Sequence, residues 1–385
     1  MENRFDVIVI GVGSMGSATC YALARRGLRV LGLERFTIPN EMGSHGGQSR
    51  IIRKAYFEHP DYVPLLHRSY EGWSGLEASS GVKLYHETGL LYTGRPSSLL
   101  LKGVRDSAKL HDIPLESIPS DKVSDRFPAF RIADGYDVLF EPKAGFIIPD
   151  LAITTFVKGA EQSGAVIRQH ERVIKWLSDG SGVSVTTENG HYTAEKLVIT
   201  AGPWAYDLIP ELKSQLKVTR QTFAWFMPEH QQRFTIGNFP CWLVDQFETG
   251  AAWYGLPMLP SERFGGPQGL KVGQHNPGAA SHPDQVDRTV KPEELAQLIR
   301  EVDRFFPGAT QKLLTTKVCL YTYSPDENFI IDKLPDNQDR VVFAAGFSGH
   351  GFKFLPVIGE VLADLSIEGR TSHPVGFLSM ARLGK

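Results

Sequence analysis

Hydrophobic residues near the N-terminus change their spacing twice within the first strand-helix-strand unit. An unbroken apolar run at residues 7–10 predicts a short buried strand. Apolar residues at helical spacing follow and predict a helix of about three turns. A second apolar run then ends at Glu34. The pattern predicts the start of an α/β fold.

The turn between the first strand and the helix carries three glycines. Gly11, Gly13 and Gly16 have the spacing that gives a tight turn, a close approach of the backbone to a pyrophosphate and close packing of helix on strand. The free N–H groups of the helix N-terminus then face the phosphates. Glu34 would accept a hydrogen bond from a ribose hydroxyl and repel a 2′-phosphate. The unit therefore predicts a bound adenine dinucleotide, which is FAD or NAD rather than NADP.

The rest of the chain alternates between two kinds of segment. Apolar residues at helical spacing predict helices at residues 62–76, 151–164, 293–306 and 355–365. Short apolar runs between glycines predict strands at residues 83–92, 136–147, 165–188, 196–202, 221–227, 241–246, 251–257, 269–275 and 340–345. We assign the runs at 83–92 and 136–147 to a second, antiparallel sheet. The glycine-rich turn at residues 346–352 precedes a helix whose positive N-terminus would face the cofactor, where Lys353 adds a full charge.

The length and the order of these segments predict two interleaved domains, because 385 residues exceed one ordinary hydrophobic core. We expect a Rossmann-like dinucleotide-binding domain of class α/β, formed by residues 1–82, 146–218 and 319–385. An α+β domain with an antiparallel or mixed sheet would bind the substrate, and residues 83–145 and 219–318 would form it.

Charge and cysteine content favour small-molecule chemistry. The 41 basic and 43 acidic residues give a net charge of −2, which offers no general attraction to nucleic acid or to an anionic membrane. No apolar run reaches the roughly 20 residues of a membrane span, and no signal peptide precedes the first strand. The three cysteines have spacings that fit neither a zinc site nor a redox pair. We therefore expect a cytoplasmic protein without a bound metal.

Seven motifs, in this order, resemble the monomeric sarcosine oxidases and their relatives, the N-methyltryptophan oxidases and the sarcosine/pipecolate oxidases. They are SHGGQSRIIRKAY at residues 44–56, KAGFIIPD at 143–150, VITAGPW at 198–204, YGLP at 254–257, LKVGQH at 270–275, VCLYTYSPDENFIID at 318–332 and GFSGHGFKF at 346–354. The resemblance implies FAD rather than NAD, and a glutathione-reductase-type FAD domain. It also implies a monomer that oxidises the C–N bond of a secondary amino acid, such as sarcosine or L-pipecolate, with dioxygen as acceptor.

The resemblance also implies roles for single residues. Cys319 would be bonded covalently to FAD, although a cysteine in an apolar strand is usually a small buried hydrophobe. Apart from the resemblance, Lys317 lies two residues from Cys319, so an ideal strand would place both on one face, where the lysine would favour the thiolate. Lys271 would activate dioxygen, since a fixed ammonium stabilises superoxide as it forms. The other cofactor-binding residues would be Gly11, Gly13, Gly16, Glu34, His45, Ser49, Val173, Gly349, His350, Gly351 and Lys353.

On the substrate side, Arg53 and Lys353 would bind the carboxylate, and Tyr321 would line the pocket. An arginine fork suits a carboxylate, which favours an amino acid over a free amine. Arg50, His275 and Tyr254 would be catalytic together with Lys271. A solvent-exposed run of charge is the alternative interpretation of the two arginines.

Two features differ from the bacterial sarcosine oxidases, namely Gln48, where they tend to carry aspartate, and the length of the loop between Tyr254 and Lys271. Both lie at the rim of the expected pocket, so the substrate side chain stays open. Two other functions also remain open. One is an FAD dehydrogenase that passes electrons to a protein acceptor, against which Lys271 argues. The other is a flavin-binding module without turnover.

Overall fold

The computed structural model describes residues 4–246, 251–275, 278–335 and 339–384. Its helices are α1 (Ser14–Ala24), α2 (Tyr62–Ser80), α3 (Leu99–Leu110), α4 (Val123–Arg126), α5 (Pro149–Gln162), α6 (Ala205–Leu208), α7 (Ser261–Phe264), α8 (Pro292–Phe305) and α9 (Leu355–Glu368). Its strands are β1 (Arg4–Ile10), β2 (Val30–Leu33), β3 (Arg50–Ile52), β4 (Tyr85–Glu87), β5 (Leu90–Gly94), β6 (Glu116–Ser117), β7 (Asp137–Glu141), β8 (Gly145–Ile147), β9 (Val166–Arg168), β10 (Val173–Asp179), β11 (Gly182–Thr187), β12 (His191–Ile199), β13 (Lys217–Met227), β14 (Cys241–Gln246), β15 (Ala251–Leu256), β16 (Leu270–Gln274), β17 (Lys312–Tyr323), β18 (Ile330–Lys333) and β19 (Val341–Ala345).

The first sheet has parallel strands at its centre. Its strand order is β10-β11-β12-β1-β2-β9, and β19 pairs with the second half of β12 and with β18. Side chains of β1 alternate between two apolar clusters: Val7 and Val9 pack under α1, α5 and α9, whereas Ile8 and Ile10 face the other layer. Burial on both faces explains why the strand reads as an unbroken apolar run.

The second sheet has the strand order β17-β13-β16-β15-β14-β5-β7-β6 and is antiparallel except where β14 pairs with β5. One of its faces packs against α8 and a cluster of phenylalanines. Its long strands β13 and β17 carry a separate aromatic cluster that includes Cys319. The sheet is therefore mixed and sits beside the dinucleotide turn rather than extending the first sheet.

The assignment of residues 83–92 and 136–147 to a single antiparallel sheet is wrong in part. Strands β5 and β7 do lie in the second sheet, but β4 and β8 pair with β3 in a small third sheet. Gly89, with a φ of +73°, interrupts the first run, and residues 142–144 interrupt the second. Each run is thus two strands joined by a turn, and the halves pair with different partners.

The five predicted helices are all present, as α1, α2, α5, α8 and α9. The division into two domains stays a prediction, and three of its expected boundaries fall inside strands: the one after residue 145 in β8, the one after residue 218 in β13 and the one after residue 318 in β17. Over the described ranges of the chain, no helix is both long and apolar enough to cross a membrane.

Candidate active site

A cavity of about 280 Å³ opens where the first sheet meets the second. Its wall combines the ends of β1 and β2, parts of the segment 40–58 and the turn 346–353. Tyr254 and Tyr321 of the second sheet complete it. The cavity thus joins the predicted dinucleotide turn to the predicted substrate residues in one space.

The glycine turn is required by close contacts between β1, α1 and β12. Gly11 has a φ of +86°, and a Cβ atom there would lie 2.6 Å from the carbonyl oxygen of Thr200. A Cβ atom at Gly16 would lie 1.9 Å from the carbonyl oxygen of Gly11. Gly13 precedes α1 and lies in the cavity wall. Side chains at Gly11 and Gly16 would push α1 and the strands apart, as the glycine spacing predicts.

Glu34 is buried at the end of β2 and also lines the cavity. Its Oε2 accepts a hydrogen bond from the N–H of Val12 at 2.9 Å, and its Oε1 accepts one from the N–H of Phe36 at 3.0 Å. Each carboxylate oxygen can accept a further bond. The carboxylate is therefore held in a fixed orientation with capacity left for a ribose hydroxyl.

Two buried polar atoms of the cavity wall have no hydrogen-bond partner within the described residues: Nε2 of His45 and Oγ1 of Thr322. Burial, with the Arg50 cation adding to it, lowers the pKa of His45 to about 4, so the imidazole is neutral. Ser49 Oγ, just before β3, is another buried polar atom without a partner among the described residues. In the cavity wall, the unpartnered atoms of His45 and Thr322 are available to hydrogen-bond a bound molecule.

The remaining expected cofactor residues lie at the same wall. Val173 begins β10 at an irregularity in its pairing with β11. Gly349, His350, Gly351 and Lys353 belong to the turn after β19. The helix predicted to point at the cofactor begins only at Leu355, after a 3₁₀ turn at Phe352–Phe354. The turn itself, rather than the first turn of α9, therefore forms the wall.

Arg53 is 4% exposed and forms a two-oxygen ion pair with Glu58, in which Nη2 lies 2.5 Å from Oε1 and 2.7 Å from Oε2. Its Nη1 donates to the carbonyl oxygen of Ala55 at 3.1 Å. The guanidinium carbon also lies 4.3 Å from the ring centroids of Tyr56 and Phe57. The arginine is thus a buried side chain and not part of a solvent-exposed charge run.

Lys353 is 5% exposed, and its ammonium donates to the carbonyl oxygen of His350 at 2.6 Å and to the hydroxyl of Tyr56 at 3.4 Å. Burial and the nearby Arg53 lower its pKa to about 7. Nε2 of His350 lies 3.0 Å from the carbonyl oxygen of Glu327, which requires a proton on that nitrogen. Nδ1 then accepts from the hydroxyl of Tyr56 at 2.6 Å, so Tyr56 offers its lone pair to Lys353.

Tyr254, Tyr321 and His275 bring aromatic surface to the cavity. The rings of His275 and Tyr321 lie 5.7 Å apart at 64°. Burial lowers the pKa of His275 to about 4 and raises that of Tyr254 to about 12. All three side chains are therefore neutral near pH 7.

Arg50 lines the cavity together with His45, and Lys271 contacts the backbone of the same segment at Ser49. Arg50 donates to carbonyl oxygens of Ser44, Gly46, Gly47 and Ser49 and so fixes this loop. Lys271 is 1% exposed, donates to the carbonyl oxygen of Ser49 at 2.7 Å and lies 5.0 Å from the ring centroid of Phe223. Burial, with Arg50 adding to it, lowers the pKa of Lys271 well below its usual value.

Cys319 is 2% exposed and packs with Phe223, Trp225 and Tyr321. Burial raises the pKa of its thiol, and the cations of Arg50, Lys271 and Arg288 oppose that rise. Lys317, which was expected to favour the thiolate, is not among these three cations, and its ammonium pairs with Glu41.

Sequence reasoning missed Glu58, Tyr56 and Glu141. Glu58 follows Arg53 by five residues. Because a buried arginine needs an anionic partner, this nearby acid could have been predicted as that partner. Tyr56 and Glu141 carried no local signal, since their partners lie far away in the chain. No group of three His, Cys, Asp or Glu side chains in the described parts of the chain could hold a metal ion.

The profile of the DAO family, the FAD dependent oxidoreductases, matches residues 6–365. The chain belongs to this family of FAD-dependent oxidoreductases. The cavity fits FAD on its own evidence, because it combines the glycine turn, the oriented Glu34 carboxylate and unpartnered polar atoms of His45 and Thr322. The chain is therefore an FAD-dependent enzyme with the mixed α/β fold of that family.

Relatives within the family cover nearly the whole chain. The monomeric sarcosine oxidase of Streptomyces avermitilis is 38% identical over 384 residues, which is 100% of this chain and 99% of the relative. The N-methyl-L-tryptophan oxidase of Yersinia pestis is 34% identical over 383 residues, with 98% and 99% covered. The solved structure of NikD, an amino acid oxidase essential for nikkomycin biosynthesis, has a TM-score of 0.86 at 27% identity and covers 98% of each chain.

Proposed function

We propose that this FAD-dependent enzyme oxidises the C–N bond of a secondary amino acid, such as sarcosine or L-pipecolate, with dioxygen as acceptor. The observation that carries the proposal is the pair of buried cations, Arg53 and Lys353, in the wall of the cofactor cavity. Within the described part of the chain, Glu58 is the one acid at ion-pair distance from either. Buried cations need anionic partners, and a substrate carboxylate is an anion that can take the place of Glu58 at Arg53 and also meet Lys353.

The amine class comes from the relatives. Sarcosine oxidase and N-methyl-L-tryptophan oxidase are both named for amino acids that carry a methyl group on nitrogen. A secondary amine, unlike a primary one, presents an apolar substituent next to the reacting nitrogen. The rings of Tyr254 and Tyr321 provide apolar surface on the cavity wall for that substituent.

In this mechanism the chain binds and orients the substrate and excludes water. Arg53 and Lys353 hold the carboxylate, which places the C–N unit beside the neutral side chains of Tyr254, Tyr321 and His275. FAD, when bound, would supply the electron chemistry, which is the oxidation of the C–N unit to an imine by two electrons and two protons, with dioxygen reduced to hydrogen peroxide. Water then hydrolyses the imine, or a cyclic imine leaves intact.

Lys271 is the residue that we propose for the dioxygen step. The charged form of Lys271 is destabilised at this position, because burial and the Arg50 cation both disfavour a positive charge. An anion that forms beside it removes that cost, so the same surroundings strengthen its attraction for developing superoxide. Within the described residues, no acid lies within ion-pair distance of Lys271 to weaken this effect.

Three finer parts of the proposal concern the state of the protein. We propose a thioether bond between Sγ of Cys319 and FAD, since three cations near this buried thiol favour its thiolate. We also propose a monomer, in keeping with the name of the Streptomyces avermitilis relative. A cytoplasmic location remains our expectation, and it is in keeping with three free cysteines.

The test is peroxide release by purified protein given sarcosine, L-pipecolate, L-proline and N-methyl aromatic amino acids in air. Dimethylamine, which lacks the carboxylate, is the substrate control and should give no peroxide. Arg53→Met should abolish turnover, whereas Lys54→Met, which changes the next cation in the chain, should not. Substrate that bleaches the flavin without oxygen but releases no peroxide in air would replace the oxidase with a dehydrogenase.

A further inference from the structure

Glu141 is a fully buried carboxylate behind the cavity wall. It ends β7 and is 0% exposed. Its Oε1 accepts a hydrogen bond from the N–H of Lys54 at 2.7 Å. Its Oε2 accepts from the N–H of Ala55 at 3.2 Å and from the hydroxyl of Tyr92 at 2.7 Å. None of these three donors carries a formal charge, so the carboxylate is held by neutral groups alone in these contacts.

A buried carboxylate is costly even when it is hydrogen-bonded, and burial raises the pKa of Glu141. The segment after β3 explains why a carboxylate is buried here. Strand β3 ends at Ile52, and the chain then leaves the small third sheet. The N–H groups of Lys54 and Ala55 consequently have no strand partner there, and Glu141 satisfies both.

The same contacts determine where the guanidinium of Arg53 lies. Nη1 of Arg53 donates to the carbonyl oxygen of Ala55 at 3.1 Å. The hydroxyl of Tyr92 lies 3.3 Å from that carbonyl oxygen and 2.7 Å from Glu141. Ala55 is therefore fixed through its N–H by Glu141, and Tyr92 shares its single hydroxyl proton between Glu141 and the carbonyl oxygen of Ala55. The other edge of the guanidinium contacts Glu58, which a substrate carboxylate would have to replace.

We propose that Glu141 is a positioning residue for substrate binding: it fixes Ala55, directly and through Tyr92, and Ala55 holds Arg53 in the orientation that accepts the substrate carboxylate. When the substrate carboxylate replaces Glu58, the hydrogen bond to Ala55 keeps the guanidinium of Arg53 in place while the side chain of Glu58 moves away. The inference rests on the proposed function in one respect, which is that Arg53 binds the carboxylate.

The test compares Glu141→Gln with a matched control. Glu77 also accepts hydrogen bonds from two successive N–H groups, those of Leu84 and Tyr85 at 2.7 Å each, but it lies on α2 away from the cavity. The probe is propionate, titrated into the FAD-loaded proteins by calorimetry. We expect Glu141→Gln to raise the Kd of propionate on the order of tenfold and Glu77→Gln to leave it within about twofold of the parent.

A second measurement separates positioning from general damage. The limiting rate of flavin reduction at saturating sarcosine, or at the best substrate of the panel, should stay close to the parent in Glu141→Gln while the half-saturating concentration rises. Tyr92→Phe keeps the buried ring and removes only the hydroxyl, so it provides the same test if Glu141→Gln does not fold. It too should weaken propionate binding.

Parent-like propionate binding in both Glu141→Gln and Tyr92→Phe, with binding lost in Arg53→Met, would overturn the inference and leave the proposed function standing. Equal binding of propionate by the parent and by Arg53→Met would overturn the proposed function, and the inference with it.

Discussion

The guanidinium of Arg53 and the carboxylate of Glu58 form an ion pair through both carboxylate oxygens within the cavity, at 2.5 and 2.7 Å. Burial of Glu58 raises its pKa, but the attraction of the Arg53 cation outweighs burial and lowers it to about 2. Burial of Arg53 lowers its pKa, and Glu58 more than compensates. Both groups are charged at neutral pH, so a substrate carboxylate must compete with an acid already in place.

Replacing Glu58 by Gln should tighten the binding of propionate to the FAD-loaded protein on the order of tenfold, because the competing negative charge is gone. The same change leaves Arg53 buried without its ion pair, so the thermal midpoint without ligand should fall. Propionate should then raise the midpoint more in the variant than in the parent. Calorimetric titration and thermal unfolding measure the two effects.

Glu327→Gln is the matched control for Glu58→Gln. Burial, with Glu58 adding to it, raises the pKa of Glu327, which places the two acids in the same electrostatic neighbourhood. Its carbonyl oxygen, rather than its carboxylate, contacts His350. Removing its charge should leave propionate binding near the parent value. Weaker binding in Glu58→Gln would contradict competition and assign Glu58 a supporting role.

Lys353 predicts a pH dependence of ligand binding. Its pKa of about 7 means that the ammonium is present below pH 7 and lost above it. A bound carboxylate favours the charged form, so the affinity for propionate should be highest below pH 7. It should fall as the pH rises through the pKa, by up to about tenfold per unit. Propionate has no amine, so the ionisation of the ligand does not contribute in this range.

The neighbouring groups do not titrate between about pH 6 and pH 9. The pKa is about 2 for Glu58, about 3 for His350 and about 4 for His275, and burial leaves that of Tyr254 at about 12. Titrations of Lys353→Met should therefore show weaker binding with a flat pH profile. A slope that survives in this variant would place the ionisation on another group.

The sequence predicts the dinucleotide unit well because its signals are local. The apolar run of β1, the glycines of the turn and Glu34 all lie within thirty residues, and the structure places them around one cavity. Glu141 shows where local pattern fails. Its partners Lys54 and Ala55 lie more than eighty residues earlier in the chain, so nothing near Glu141 in the sequence reports the contact.

The predictions for Lys317 and for the strand at residues 83–92 also failed because the decisive contacts are distant in the sequence. Lys317 and Cys319 do lie two residues apart on β17, but Glu41, which is 276 residues earlier, determines where the ammonium of Lys317 points. The run at residues 83–92 has the composition of one strand, yet tertiary pairing divides it at Gly89. Periodicity indicates which residues prefer a strand, whereas pairing partners depend on the whole fold.

Replacing Lys271 by Met should slow the reoxidation of the enzyme by dioxygen by about a hundredfold or more, with flavin reduction by substrate changed far less. Because burial and Arg50 lower the pKa of Lys271, its charge is lost as pH rises, so the reoxidation rate of the parent should fall in the same direction. Stopped-flow measurement of each half-reaction tests both statements. Lys317→Met, which removes a cation paired with Glu41, is the control, and equal slowing of both half-reactions in Lys271→Met would refute the assignment.

Replacing Cys319 by Ser should leave FAD bound but release it on denaturation. The glycine turn, Glu34 and His45 are unchanged in this variant, so the cavity keeps its cofactor contacts. The parent, denatured in acid or detergent, should retain flavin absorbance and fluorescence on the polypeptide. Cys241→Ser is the matched control, since Cys241 is also buried and its pKa is also raised by burial, but its thiol lies on β14 and contacts the hydroxyl of Thr88 in the turn between β4 and β5.

Arg50 provides a finer test of the same bond. Burial opposes the thiolate of Cys319, and Arg50 is the first of the cations that favour it. Arg50→Met should therefore slow the covalent incorporation of added FAD into the apoprotein, with the largest deficit at low pH, where thiolate is scarcest. Flavin that remains attached in denatured Cys319→Ser, or that is lost from denatured Cys241→Ser, would move the bond to another residue.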